Sequence, residues 1–237
     1  MMPIGDVDEF PMITPFVTWA LIAINVAVLF LVQPAIPAVA DIALIPPDVR
    51  AFYDRFAIIP AVVASGQNLT SVLSAMFLHG GILHLFGNML YLWIFGDNVE
   101  HAFGHVRFLA FYLVSGVAAT AAQVLLFPDA TIWNLGASGA IAGVLGAYLL
   151  LYPRSRVNVL VVRSVVQMPA MLVIGAWFAL QFFSGANQLA NASAADAGGV
   201  AFWAHIGGFV AGLALAAAFG GRARARAMGQ PIAVARR

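Results

Sequence analysis

The chain is built from a succession of apolar runs, several of them close to the ~20 residues that an α-helix needs to cross the hydrocarbon core of a bilayer. The first, from about Thr14 to Val32, carries no charged residue and stops at Gln33-Pro34, where proline ends a helix. A soluble domain is about 25% charged, whereas here the charged share is 9% and the hydrophobic share 62%. These features predict an all-α, polytopic membrane helix bundle whose core is shared with lipid. With no cysteine in the chain, disulfides and thiol chemistry are excluded.

Six spans are expected. The second runs from about Gly81 to Phe95, with an extension to Phe103, and the third from about His105 to Phe127. The fourth, 137–152, is short for a bilayer, so its start is expected to lie below the membrane surface. The fifth is about Met168–Phe183 and the sixth about Val200–Phe219. Residues 1–13 read as a polar cytoplasmic tail, 153–166 and 184–199 as loops, and 220–237 as a basic cytoplasmic tail. The long first loop, 34–78, is expected to hold an interfacial helix over Val49–Phe56, anchored in the headgroup region by Phe52, Tyr53 and Phe56. No repeat or second domain is visible, so residues 1–237 read as one membrane domain. Asn191-Ala-Ser193 matches a glycosylation sequon and is read as a chance match.

Every basic residue is an arginine, and their distribution sets an orientation. An even number of spans puts both termini on one side. That side carries nine arginines, in the tail, in 153–166 and at Arg107, against Arg50 and Arg55 on the other. The positive-inside rule then puts both termini in the cytoplasm. The first ten residues hold Asp6, Asp8 and Glu9 without a basic residue, unlike the start of a cleaved signal peptide. The arginine- and alanine-rich composition suggests a bacterial chain in the inner (cytoplasmic) membrane. A net charge of +1 gives no reason to expect a nucleic-acid partner.

In this topology the second, fourth and sixth spans all run inward from the outer face. His84 and Asn88 lie early in the second, Ser138 opens the fourth, and His205 lies one turn into the sixth. All four therefore share the outer third of the membrane. Polar side chains at such depth are functional candidates, because they are costly to keep there. His84 and Asn88 are four residues apart and share a helix face. Gly139 and Gly143, and likewise Gly208 and Gly212, form the G-x-x-x-G spacing that lets membrane helices approach backbone to backbone. That approach is what a Ser138–His205 hydrogen bond requires.

A serine becomes a useful nucleophile when a base takes its proton, and histidine is suited to that role. The acidic residues fall elsewhere: Asp97 and Glu100 at the cytoplasmic end, Asp129 and Asp196 in loops. A Ser–His pair without a carboxylate is therefore expected. Acyl transfer also develops an oxyanion that needs preorganised donors. The Ser138 N–H at a helix start, the His84 ring and the Asn88 amide are available for it. The histidines are not spaced with carboxylates as a metal-ligand set, so neither metal nor cofactor is expected. Glu100 and His101 read as a solvated helix end, and Trp93, Trp133, Trp177 and Trp203 as anchors or packing residues. Trp177 could also face substrate on the fifth span.

Taken together, these residues resemble the rhomboid family of intramembrane serine proteases. The resemblance covers about 79–215 and rests on His79-x4-His84-x3-Asn88, Gly136-Ala-Ser138-Gly139 and Ala204-His205-x2-Gly208-x3-Gly212. It implies a rhomboid-like bundle of six transmembrane helices with a cavity opening outward, in the minimal bacterial form. It implies a Ser138–His205 dyad, an oxyanion site at Ser138 N–H, His84 and Asn88, and a supporting role for His79 in the loop before the second span. The implied reaction is endoproteolysis of single-span membrane proteins near small residues, with a transmembrane substrate and membrane lipid as partners. Two positions depart from the family pattern. Thr70-Ser71 stand where many members have Trp-Arg in the first loop. Ala142 stands where some have a tyrosine that stacks on the catalytic histidine, so another group must orient His205. A client-binding relative without activity and a small transporter are the competing readings. The first usually lacks the serine or histidine, and the second is expected to show repeats and midplane charges.

Overall fold

The computed structural model describes residues 2–6, 13–36, 44–190 and 200–219. The glycosylation sequon, Asp196 and the basic tail from 220 lie outside these residues. Helix α1, Phe16–Ala27, closes in a π-helical turn, Val28–Val32. The first connection folds into α2 (Pro47–Phe56), α3 (Pro60–Ala64) and α4 (Ser71–Ser74), the last continuing as a 3-10 turn, Ala75–Phe77. The long helices follow: α5 (Ile82–Phe103), α6 (His105–Leu126), α7 (Ser138–Leu151), α8 (Ala170–Ala190) and α9 (Phe202–Ala218). Thus α8 extends well past the expected end of the fifth span, and the 184–199 loop is helical through Ala190.

Among the described residues two helices, α6 and α8, are long and apolar enough to cross a membrane, and α5 joins them if counted with the segment Ser71–Phe77, from which it bends by 92°. The first helix with its π turn, α7 and α9 are apolar but shorter. At 14 residues, α7 rises only about 21 Å, against ~30 Å of hydrocarbon.

The molecule is predominantly helical but not all-α. Met2–Asp6 form strand β1, Arg156–Val161 β2 and Ser164–Pro169 β3. They make one antiparallel sheet in the order β1-β2-β3, with Asp6 opposite Val157 and Val161 opposite Ser164. The stretch read as a loop at 153–166 is therefore largely a hairpin, and part of the tail at 1–13 is its third strand. Val157 and Val159 alternate inward and are fully buried, which gives the hairpin an apolar face to set against the bundle. Asp6 ties the sheet down, accepting hydrogen bonds from Asn98 Nδ2 at 2.7 Å and Tyr148 hydroxyl at 2.8 Å.

Glu100 and His101 are not a solvated helix end. Glu100 is fully buried and accepts the N–H groups of Val17 and Thr18 and the Thr18 hydroxyl, at 2.7–2.9 Å. The start of α1 has no side-chain cap of its own, and its free amides need acceptors. A carboxylate from α5 supplies them, with His105 Nδ1 on its other side. His101 Nδ1 accepts the Ile13 N–H at 3.1 Å.

The centre of the bundle is the contact between α7 and α9. A Cβ on Gly208 would strike the Gly139 backbone, and one on Gly212 the Gly143 backbone. Gly146 continues the seam, its Cβ position blocked by the Phe209 carbonyl. Because the contacts advance together along both helices, α7 and α9 run parallel and their starts lie at the same end. The small-residue spacing thus makes the close approach expected of it.

Candidate active site

The starts of α5, α7 and α9 meet at the end of the bundle away from the sheet. The first connection builds the wall around them. Ile58 and Asn134 exchange backbone hydrogen bonds at 3.0 and 2.7 Å, tying the α2–α3 junction to the loop before α7. Tyr53, expected as a headgroup anchor, is instead fully buried. It stacks on Trp133 at 5.1 Å, and its hydroxyl accepts from Gln33 Nε2 and donates to the Pro34 carbonyl. Burial raises the Tyr53 phenol above its usual range, partly offset by the Gln33 hydrogen bond. In place of a Trp-Arg anchor, Ser71 Oγ bonds the Asn68 carbonyl, while Asn68 Nδ2 reaches the carbonyls of Asp54 and Arg55.

Gln33 also clamps the backbone of His79. Its Oε1 accepts the His79 N–H at 2.9 Å, and its Nε2 donates to the His79 carbonyl. His79 lies in the bend before α5, fully buried, with its ring edge-on to His84 at 5.2 Å. The Gly80 N–H bonds His84 Nδ1 at 3.2 Å. An Nδ1 that accepts is unprotonated, so the ring proton of neutral His84 sits on Nε2.

That nitrogen looks onto Gly136. A side chain at Gly136 would lie 2.9 Å from His84 Nε2 and 3.6 Å from Asn88 Nδ2. Gly136 has φ +126, a conformation that glycine tolerates and other residues rarely adopt. Its N–H is held by the Ala75 carbonyl at 2.9 Å. Asn88 is buried, and its Nδ2 has no hydrogen-bond partner among the described residues. Two residues on, Ser138 opens α7, where backbone amides lack helical partners.

Ser138 Oγ lies 2.7 Å from His205 Nε2. The other ring nitrogen, Nδ1, lies 2.7 Å from Gln181 Oε1 on α8. The Trp177 ring leans on the imidazole at 5.9 Å and 37°. With Ala142 in place of a stacking tyrosine, these are the groups among the described residues that hold His205. Gln181 went unnoticed in the sequence, where its only signal is an amide within an apolar helix. A cavity of about 550 Å³ opens over the set, lined by His84, Asn88, Ser138, His205 and Trp177 together with apolar side chains such as Leu83 and Val200.

The fold and the site define a helical membrane protein with a serine–histidine pair in an internal cavity. A Rhomboid domain model matches residues 66–222. The chain belongs to the rhomboid family. It is 32% identical over 160 residues to Rhomboid protease GluP of Bacillus subtilis, covering 68% of this chain and 28% of that protein. It is 31% identical over 148 residues to Rhomboid protein 1, mitochondrial, of Saccharomyces cerevisiae, covering 60% of this chain and 40% of that one. RHOMBOID-like protein 6, mitochondrial, of Arabidopsis thaliana is 38% identical over 87 residues, covering 37% of this chain and 28% of the relative. The matched stretch is thus well under half the length of each of these relatives.

Proposed function

We propose that this chain is an intramembrane serine endopeptidase that cleaves single-span membrane proteins near small residues, using Ser138 as nucleophile and His205 as general base. The observation that carries this reading is the 2.7 Å contact between Ser138 Oγ and His205 Nε2, the hydrogen bond along which the serine proton would leave. As Oγ attacks the scissile carbonyl, Nε2 takes its proton. The carbonyl oxygen becomes an oxyanion beside Gly136, where His84 Nε2–H and Asn88 Nδ2 converge as donors, and the Ser138 N–H, free of a helical partner at the start of α7, is read as the third. Such donors stabilise charge that develops only in the transition state. Collapse of the intermediate expels the amine, which takes the proton from His205, and leaves an acyl-enzyme on Ser138. Water, activated by the same histidine, then releases the acid. The cavity supplies that water within an otherwise apolar bundle.

Helix α1 with its π turn and α5 to α9 are read as six spans, with both termini cytoplasmic and the cavity opening outward, on the strength of the arginine distribution. A bacterial inner membrane is the location this reading favours. His79, together with Gly136, Gly139, Gly143, Gly208 and Gly212, is read as support for the reacting groups.

The test is cleavage of a single-span reporter by purified protein in liposomes, with Ser138→Ala and His205→Ala beside wild type. Wild type is expected to cut and both variants to fall to background, a loss of at least ~10³. Equal cleavage by the variants would overturn the assignment. If wild type does not cut, failure of a fluorophosphonate probe to label Ser138 favours a client-binding relative instead.

A further inference from the structure

The Ser–His pair leaves one question of chemistry open, namely what fixes the tautomer and orientation of His205. A histidine that is to accept a proton at Nε2 must carry its own on Nδ1, and in serine hydrolases a buried carboxylate bonded to Nδ1 commonly secures this. No carboxylate among the described residues bonds His205; Glu100 caps α1 and Asp6 holds the sheet. The partner of Nδ1 is the amide oxygen of Gln181, at 2.7 Å.

We propose that Gln181 is the positioning residue of this site, accepting the Nδ1–H of His205 and so directing the bare Nε2 at Ser138. This rests on the protease reading above and deepens it. The two contacts of the imidazole are equally short, 2.7 Å to Gln181 and 2.7 Å to Ser138. They form one relay, Gln181 Oε1···H–Nδ1 and Nε2···H–Oγ, in which each group has a single consistent donor or acceptor role. The register that brings Gln181 there is built into α8. Ile174, Trp177, Gln181 and Gly185 follow one another at three- or four-residue steps and so form a stripe along one face. Gly185 accepts the Trp203 indole N–H from α9 at 3.1 Å, and a Cβ there would sit 3.3 Å from that of Phe202. This close, pinned contact one turn beyond Gln181 fixes its height against His205. Trp177, one turn before it, lies over the ring.

An amide in place of a carboxylate has a physical logic on this helix. α8 is the least buried of α5 to α9, with Leu180, Phe182 and Phe183 exposed beside Gln181. A carboxylate there would be a charge held in an apolar setting, with His205 its one partner among the described residues. A neutral amide avoids that penalty, and in exchange it stabilises the imidazolium of the transition state less strongly. His205 is thus oriented by α8, which supplies both the Nδ1 acceptor and the Trp177 ring against the imidazole.

The experiment compares wild type, Gln181→Leu and Gln181→Glu for kcat, KM and the pH profile of cleavage of the liposome reporter, with thermal unfolding of each. His84 and Tyr91 are the other titratable side chains among the described residues that line the cavity with His205, and both are unchanged in all three. Gln181→Leu is expected to lose roughly tenfold in kcat, the worth of one neutral hydrogen bond, with KM and melting temperature held. Gln181→Glu keeps an oxygen acceptor and cannot donate when ionised. It is expected to retain wild-type kcat or better above its acid limb, and that limb is expected to move to higher pH, because a carboxylate favours protonated His205. Wild-type kcat in Gln181→Leu would overturn the proposal, as would a Gln181→Glu acid limb that coincides with that of wild type. Neither result touches the protease reading, which stands or falls separately on Ser138→Ala and His205→Ala.

Discussion

Polar side chains stand at both ends of this bundle, and they differ in how completely they are bonded. At the sheet end, the Glu100 carboxylate takes four partners, from Val17, Thr18 and His105, and one Asp6 oxygen takes two. At the cavity end, Asn88 Nδ2 is buried with no partner among the described residues, and the His84 Nε2 beside it faces Gly136. Buried polar groups are normally satisfied, so an orphaned donor calls for a reason. The difference teaches that burial or membrane depth alone does not mark a functional residue. Glu100 is as improbable in an apolar chain as Asn88, yet its bonds are complete and local to the architecture. Asn88 has bonding capacity left over, directed at the place where a substrate oxyanion would sit.

The contrast can be broken most directly at Asn88. Asn88→Ala is expected to lower kcat by about 10²–10³, as removal of one oxyanion donor does, and to leave the melting temperature unchanged or slightly raised, because an unpaired buried amide is lost. A drop in melting temperature with kcat intact would make Asn88 a structural group and erase the distinction. The next largest effect is expected at Glu100. Glu100→Gln puts an NH₂ where a carboxylate oxygen accepts the backbone N–H of Val17 or of Thr18, leaving that N–H facing a donor. It is expected to cost about 3 kcal/mol of stability, read by detergent or thermal unfolding, with kcat per folded molecule unchanged.

The helices were largely legible because apolar runs report them directly. Gly81, Gly104 and Pro128 punctuate the chain close to where α5 and α6 begin or end. The residues that the sequence brings to one depth do line one cavity, since depth in parallel spans is fixed by counting along each helix. What stayed hidden was whatever depends on pairing across the chain. β1 holds Pro3 and Gly5, which are poor strand residues, and it becomes a strand only because β2 offers an edge over 150 residues later. The alternation of Val157 and Val159 could have signalled the hairpin, but it is short and flanked by arginines. Glu100 looked solvated because its partners on α1 lie more than 80 residues away. Gln181 was invisible for the same reason: whether an amide on α8 meets a histidine on α9 depends on the register between two helices, which no local pattern records.

The smallest of the expected effects probes how firmly the sheet end is braced. The hydrogen bonds from Asn98 and Tyr148 fall on the same oxygen of Asp6. Asp6→Asn can keep an oxygen in that place for these two bonds and loses the charge that strengthens them. The expected cost is about 1 kcal/mol, well below that of Glu100→Gln, where either rotation of the amide leaves one backbone N–H, of Val17 or of Thr18, facing a donor. Cleavage kinetics should be unaffected, since Asp6 lies at the opposite end from Ser138. If Asp6→Asn proves as damaging as Glu100→Gln, the negative charge itself holds the strand, and the sheet contributes more to the bundle than its backbone pairing suggests. If it costs nothing measurable, β1 is held by its ladder with β2 alone, and the joint that secures this end of the molecule is the Glu100 cap on α1.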